Sequence, residues 1–185
     1  MTKKAAFGAS LLAVGLGVGW LVWRLTRPGL RRPRRVEPIM SDLLAEHAGR
    51  VDYADAWAAP IADGESGSPA DWAHAIVAFP PTVDKLMRLR DALVRPFGLA
   101  TMMDQDLPYT GFPLLAEGEG EAVLGADDKH LNFRVGVDTH SGQVTFTTTV
   151  TVNNRLGKVY WAFVRWCHPV LVAYMLRQAR VTTQC

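Results

Sequence analysis

Asp127, Asp128, Lys129, His130, Asn132 and Arg134 gather six chemistry-bearing side chains within eight residues. An acid, an imidazole and a guanidinium so close together could act as general acid, general base and anion clamp. The plainer account is a turn, with Asp127-Asp128 leading into a strand and pairing with Lys129 or Arg134. It is favoured because no second block of the chain supplies a nucleophile or a metal-ligand set. His130, Asn132 and Arg134 alternate along the chain, so they share one strand face. If that face lines a cavity, they are the residues to orient the polar end of a ligand. The tract Thr147-Thr148-Thr149, followed by Thr151, puts hydroxyls on both faces of another strand. Thr147 and Thr149 could make such a cavity partly polar, although the β-propensity of threonine alone accounts for them. His168 precedes Pro169 in an apolar helical pattern, where a lone His is more often a hydrogen-bonded core residue than a ligand. His47 and His74 have no companions at metal spacing. HExxH, CxxC, GxSxG, P-loop and GxGxxG patterns are all missing from the sequence. No catalytic residue, metal or cofactor is therefore assigned.

The elements that must position these residues follow from periodicity. Val51–Ile61 alternates as a first strand, edge-like because of Pro60. Ile39–His47 is a short helix with Ser41 as its N-cap. Ser68, Pro69 and Asp71 open a helix whose apolar face is Trp72, Ala75, Ile76 and Phe79, stopped by Pro80-Pro81. Thr82 starts a second helix, closed by Pro96 and Gly98, and Met102–Tyr109 reads as a loop. The period then changes from about 3.6 to 2. Phe112–Glu119, Glu121–Gly125, His130–Asp138 and Gln143–Val152 read as strands, with a hairpin turn at His140-Ser141-Gly142. Arg155–Arg180 is a long helix, with Leu156, Tyr160, Phe163, Cys167, Leu171 and Tyr174 on one side and a kink expected at Pro169. Strand, helix pair, antiparallel meander and terminal helix make an α+β domain. The layer arrangement that buries both the sheet face and the helix stripe is a curved antiparallel sheet around the long C-terminal helix, a helix-grip shape.

Ahead of this domain runs AAFGASLLAVGLGVGWLVW, Ala5–Trp23, with no charged residue. As a helix it is about 28 Å long, close to the hydrocarbon thickness of a bilayer. It ends in Trp20, Trp23 and arginines and not at a small-x-small cleavage site, which favours a retained anchor over a signal peptide. Arg24, Arg27, Arg31, Arg32, Arg34 and Arg35 follow it, placing the exit on the cytoplasmic side beside anionic lipid headgroups. Ala9, Ala13 and Gly17 form one small-residue stripe with Ala5, while Gly15 and Gly19 form a GxxxG pair, both suited to packing on another membrane helix. The organisation expected is an anchor over residues 1–25, a semi-extended basic linker over 26–40 and a folded domain over 41–185.

Residues 1–40 hold eight Lys/Arg against one acid, and residues 41–185 twelve against seventeen. The basic character belongs to the anchor and its tail, so the acidic domain is not built to bind nucleic acid. Cys167 and Cys185 are the only cysteines and suggest no disulfide framework, in keeping with a reducing cytoplasm.

Three ordered blocks resemble a bacterial family of unknown function, DUF2867. They are LMRLRDALVRPFGL (Leu86–Leu99), LGADDKHLNFRVGV (Leu124–Val137) and TTVTVNNRLGKVYWAFVRWCHPVLVAYML (Thr148–Leu176). Where that family has Pro-Phe-His in the last helix, this chain has Trp166-Cys167-His168. The resemblance implies a START-like (SRPBCC) helix-grip fold and an apolar ligand cavity, but no reaction. Two functions are carried forward. One is a non-catalytic accessory subunit in the bacterial inner membrane, its N-terminus outside and its domain cytoplasmic, partnered with integral membrane proteins. The other is a tethered carrier of a lipid, quinone or other apolar small molecule. A small cyclase-like enzyme ranks third.

Overall fold

The computed structural model of the chain describes residues 32–78 and 112–181, together with Val83, Lys85 and Arg88. Six antiparallel strands form one sheet: β1 (Arg34–Val36), β2 (Tyr53–Pro60), β3 (Leu114–Gly118), β4 (Glu121–Asp127), β5 (Leu131–Asp138) and β6 (Gln143–Val152), in the order β1-β2-β6-β5-β4-β3. Helices α1 (Asp42–Ala48), α2 (Pro69–Val77) and α3 (Arg155–Gln178) join them. The fold class is α+β. The anchor stretch Ala5–Trp23, most of the expected helix from Thr82, the Met102–Tyr109 loop and Cys185 lie outside the described residues. Val83, Lys85 and Arg88 are helical, with Val83 buried and the two basic residues exposed. Among the described residues no helix is long and apolar enough to cross a membrane.

Caps fix the helix starts as the sequence indicates. The Ser41 hydroxyl accepts from the Leu44 N–H at 3.1 Å and donates to Glu121 on β4, tying α1 to the sheet. Ser68 and Asp71 form a reciprocal capping box, with Asp71 N–H to Ser68 Oγ at 3.1 Å and Ser68 N–H to Asp71 Oδ2 at 2.8 Å. Ser68→Ala removes one half of it and should lower stability by about 1 kcal/mol, read from the thermal midpoint of the full chain.

Two expectations change. The end of the basic linker is not merely extended: Arg34–Val36 pairs with Ala58–Ala56 as the outer strand on that side. That pairing makes β2 an interior strand and not an edge. Pro60 is tolerated because it is the last residue of β2, opposite Gln143 and beyond the reach of β1.

The sheet has two unlike faces. Ala59, Leu124, Val135, Val137, Val144 and Phe146 point to the side covered by α2 and α3, where Trp72, Ile76, Val77, Tyr174, Met175 and Leu176 complete the core. The opposite face is small and polar, with Ala56, Ala58, Thr145, Thr147, Thr149 and Gly136, and it receives α1 through Leu44. Small residues are needed there, because a Cβ on Gly136 would stand 2.9 Å from the Leu44 side chain.

The long helix is buried over only half its length. Val172–Arg177 is sealed in the core, whereas Phe163, Trp166 and Cys167 face outward, so the expected stripe through Phe163 and Cys167 is not the buried one. The inward side of the first half is Gly157, Trp161, Val164 and His168, one position round from that stripe. Packing of Trp161 on β2 sets this rotation.

Candidate functional site

The strongest concentration of buried polar chemistry lies where α3 crosses β2. Asp55, in an otherwise apolar strand, has a fully buried side chain. Its Oδ1 stands 3.3 Å from Nε2 of His168, whose side chain is 15% exposed. The Trp57 indole N–H approaches Asp55 Oδ2 at 3.4 Å. Tyr53 and Trp161 frame the pair, with ring centroids 4.9 Å apart and those of Trp161 and His168 5.7 Å apart. Thr148 sits opposite Asp55 on β6; its buried hydroxyl, like Asp55 Oδ1 and His168 Nε2, makes no hydrogen bond among the described residues, so Asp55 and His168 meet as a charge contact.

Local sequence explains the arrangement. Tyr53, Asp55 and Trp57 share one face of β2 by strand alternation. Trp161 and His168 are seven residues apart on α3, two turns on one side of the helix.

Electrostatics at this junction are set by burial and the pair. Burial pushes the Asp55 carboxyl up, but the adjacent His168, then donors on Tyr53 and Trp57, outweigh it and leave Asp55 below its ordinary value. Desolvation first, and the Asp55 charge second, push Tyr53 up to about 12. Tyr53 is therefore a neutral phenol at physiological pH. A carboxylate aimed at an imidazole can orient a general base. The Cys167 thiol turns outward toward the Val164 carbonyl, at 3.2 Å, away from the junction. The geometry is that of a pin holding the middle of α3 to the sheet.

The residues singled out from sequence fall in different places. Arg134 pairs with Thr149 across the sheet, and Gly136 with Thr147, so these side chains occupy the α1 face. His168 is on the other face, and the sheet stands between them. Arg134 bonds to Asp127 at 2.7 Å and donates Nε to the His47 carbonyl at 2.9 Å, satisfying an orphan carbonyl at the end of α1. Thr147 accepts from the Ile39 N–H at 3.4 Å. Asn132 accepts from Asn153 Nδ2 at 2.8 Å, and the His130 ring meets the Asn154 amide, which also caps α3 through the Gly157 N–H at 2.9 Å. His130 and Asn132 thus knit the β5 entry to the start of α3. Arg34 donates to Gln143 at 3.1 Å, and both Arg34 and Arg35 remain exposed.

A family model described as "Protein of unknown function (DUF2867)" matches residues 47–175. The chain belongs to the DUF2867 family. No curated protein and no solved structure matches it. The DUF2867 span begins in α1 and ends in α3, so it contains Asp55, Thr148, Gly157 and His168; β1 and the apolar stretch before it lie outside. Asp55 is the residue that sequence reasoning passed over. Its signal was a single acid on the same face as Tyr53 and Trp57, a position that requires a buried partner.

Proposed function

We propose that this DUF2867 protein is a non-catalytic, membrane-anchored accessory subunit of a larger complex in the bacterial inner membrane. In this reading Ala5–Trp23 spans the bilayer with its N-terminus outside. The domain, a START-like helix grip, braces the complex from the cytoplasmic side. The first long strand, β2, pairs with the last, β6, and α3 lies across both, which suits a helix-grip relation.

The observation that carries the reading is the state of the interior. Trp72, Ile76, Leu124, Val137, Phe146 and Leu176 fill the space between the sheet and α2 and α3, each at most 3% exposed. A carrier of an apolar ligand would need that space open. Among the described residues the interior holds one continuous cluster of apolar side chains, which favours a domain that works through its surface.

Affinity capture of the full chain from native membranes in mild detergent tests this. Defined integral membrane partners should copurify with wild type and be lost from the Gly15→Leu, Gly19→Leu double variant, because bulk on the small-residue stripe keeps helices apart. Recovery of the bait alone would overturn the proposal.

A further inference from the structure

The surface of α3 carries a pattern that the accessory role does not by itself require. Phe163 is 74% exposed, Trp166 75% and Val159 57%, and they recur at steps of four and three residues as one outward apolar stripe. Arg155, Lys158, Ala162 and Arg165 recur at the same steps along one flank of that stripe. All of them are exposed, and the Arg165 guanidinium lies 5.5 Å from the centre of the Trp166 ring. The domain is acidic as a whole, yet no Asp or Glu occurs anywhere after Asp138. An apolar stripe with a purely basic flank on an acidic domain is complementary to one kind of surface, an apolar layer under negative charge.

The anchor brings that surface within reach. Eight residues separate Trp23 from Arg32, a span of at most roughly 32 Å. The chain then enters the domain at β1, where Arg35 stands opposite Trp57, on the sheet face that α3 covers. The chain thus enters the domain beside β2, the strand against which Trp161 of α3 packs.

We infer that the outer face of α3 lies on the anionic inner leaflet, with Phe163 and Trp166 inserted at headgroup depth and Arg155, Lys158 and Arg165 on lipid phosphates. The inference rests on the anchored reading of Ala5–Trp23 and adds a second, peripheral membrane contact to it. Trp166 and the basic flank hold the domain flat against the bilayer, so it is not left to swing on its linker.

The test uses full-length protein reconstituted into vesicles of brominated phosphatidylcholine, with or without phosphatidylglycerol. Subtracting the fluorescence of Trp166→Phe from that of wild type isolates Trp166 from the other five tryptophans. The Trp166 share should be quenched in the phosphatidylglycerol vesicles. Quenching should fade in the Arg155→Gln, Lys158→Gln, Arg165→Gln variant, whose docked-to-free ratio falls about a hundredfold. These side chains are all exposed, and an unchanged circular dichroism spectrum confirms the fold. Trp166 left unquenched, while Trp20 and Trp23 are quenched, would overturn the inference and leave the anchor intact. Equal quenching in neutral vesicles would overturn it as well. Shielding of Trp166 only in detergent complexes with a partner protein would assign the stripe to that protein and overturn the lipid reading. Loss of quenching at Trp20 and Trp23 too would overturn both readings.

Discussion

Replacing Asp55 by Ala is expected to destabilise the fold by about 3 kcal/mol at neutral pH, because it removes the buried carboxylate that faces His168 and the Trp57 indole N–H. His168, Trp57 and Tyr53 all turn toward that carboxylate. Thermal or urea unfolding of the full chain in mild detergent measures the loss. A change below about 0.5 kcal/mol, the range of an ordinary surface substitution, would show that the pair does not pin α3. Asp55→Asn keeps the shape and removes the charge, which isolates the pH dependence. The folded state holds Asp55 below its ordinary value of 3.8, so the unfolded chain takes up the proton more readily. The stabilisation is therefore complete above the unfolded value and disappears as pH falls through the folded one. The gap between wild type and Asp55→Asn should be widest near neutrality and should close in acid. Asp52, also held low by the Val152 N–H, is common to both proteins and cancels in the comparison.

Gly157→Ala is expected to lower stability by about 2 kcal/mol. The sign makes this a sharp test, since Gly to Ala within a helix ordinarily raises stability by up to about 1 kcal/mol. A Cβ at position 157 would stand 2.0 Å from the His130 carbonyl oxygen and 3.2 Å from the Val152 side chain. That carbonyl is backbone, fixed by the Asn153 N–H at 2.9 Å, and it cannot turn aside as a side chain would. Gly157 is thus the place where the first turn of α3 is pressed onto the entry to β5. Ala162→Ser, on the exposed side of the same helix, serves as the control and should shift stability by less than about 0.5 kcal/mol. A Gly157→Ala protein as stable as wild type would mean that the close approach of α3 to His130 is not required.

Much of the local structure could be read from the chain because local structure is a matter of short-range chemistry. The period-2 run from Gln143 to Val152 is β6 to the residue. Ser41 and Ser68 cap helices because a short side chain with an acceptor oxygen satisfies first-turn N–H groups in any context. The hairpin turn at His140–Gly142 is signalled by Gly142, at φ 69°, while Ser141 is held at φ 59° by the turn itself. The helix after Asn154 begins at its cap and runs on through Pro169.

Alternation separates two sheet faces but does not say which of them takes the long helix. The register that sends Arg134, Thr147 and Thr149 toward α1, and Asp55 and Thr148 toward α3, is a property of the assembled sheet. Nor does helical spacing distinguish the stripe through Phe163 from its neighbour through Trp161. A turn of a few tens of degrees about the helix axis decides it, and the ring of Tyr53 on a distant strand sets that turn. The conversion of Arg34–Val36 from linker to strand likewise depends on Ala56–Ala58 standing ready as a template. Residue type and spacing thus fixed most of the segments that are strand or helix, β1 excepted, to within a residue or two of their ends. Which surfaces meet, and so which polar groups are buried together, was decided by packing between segments far apart in the chain.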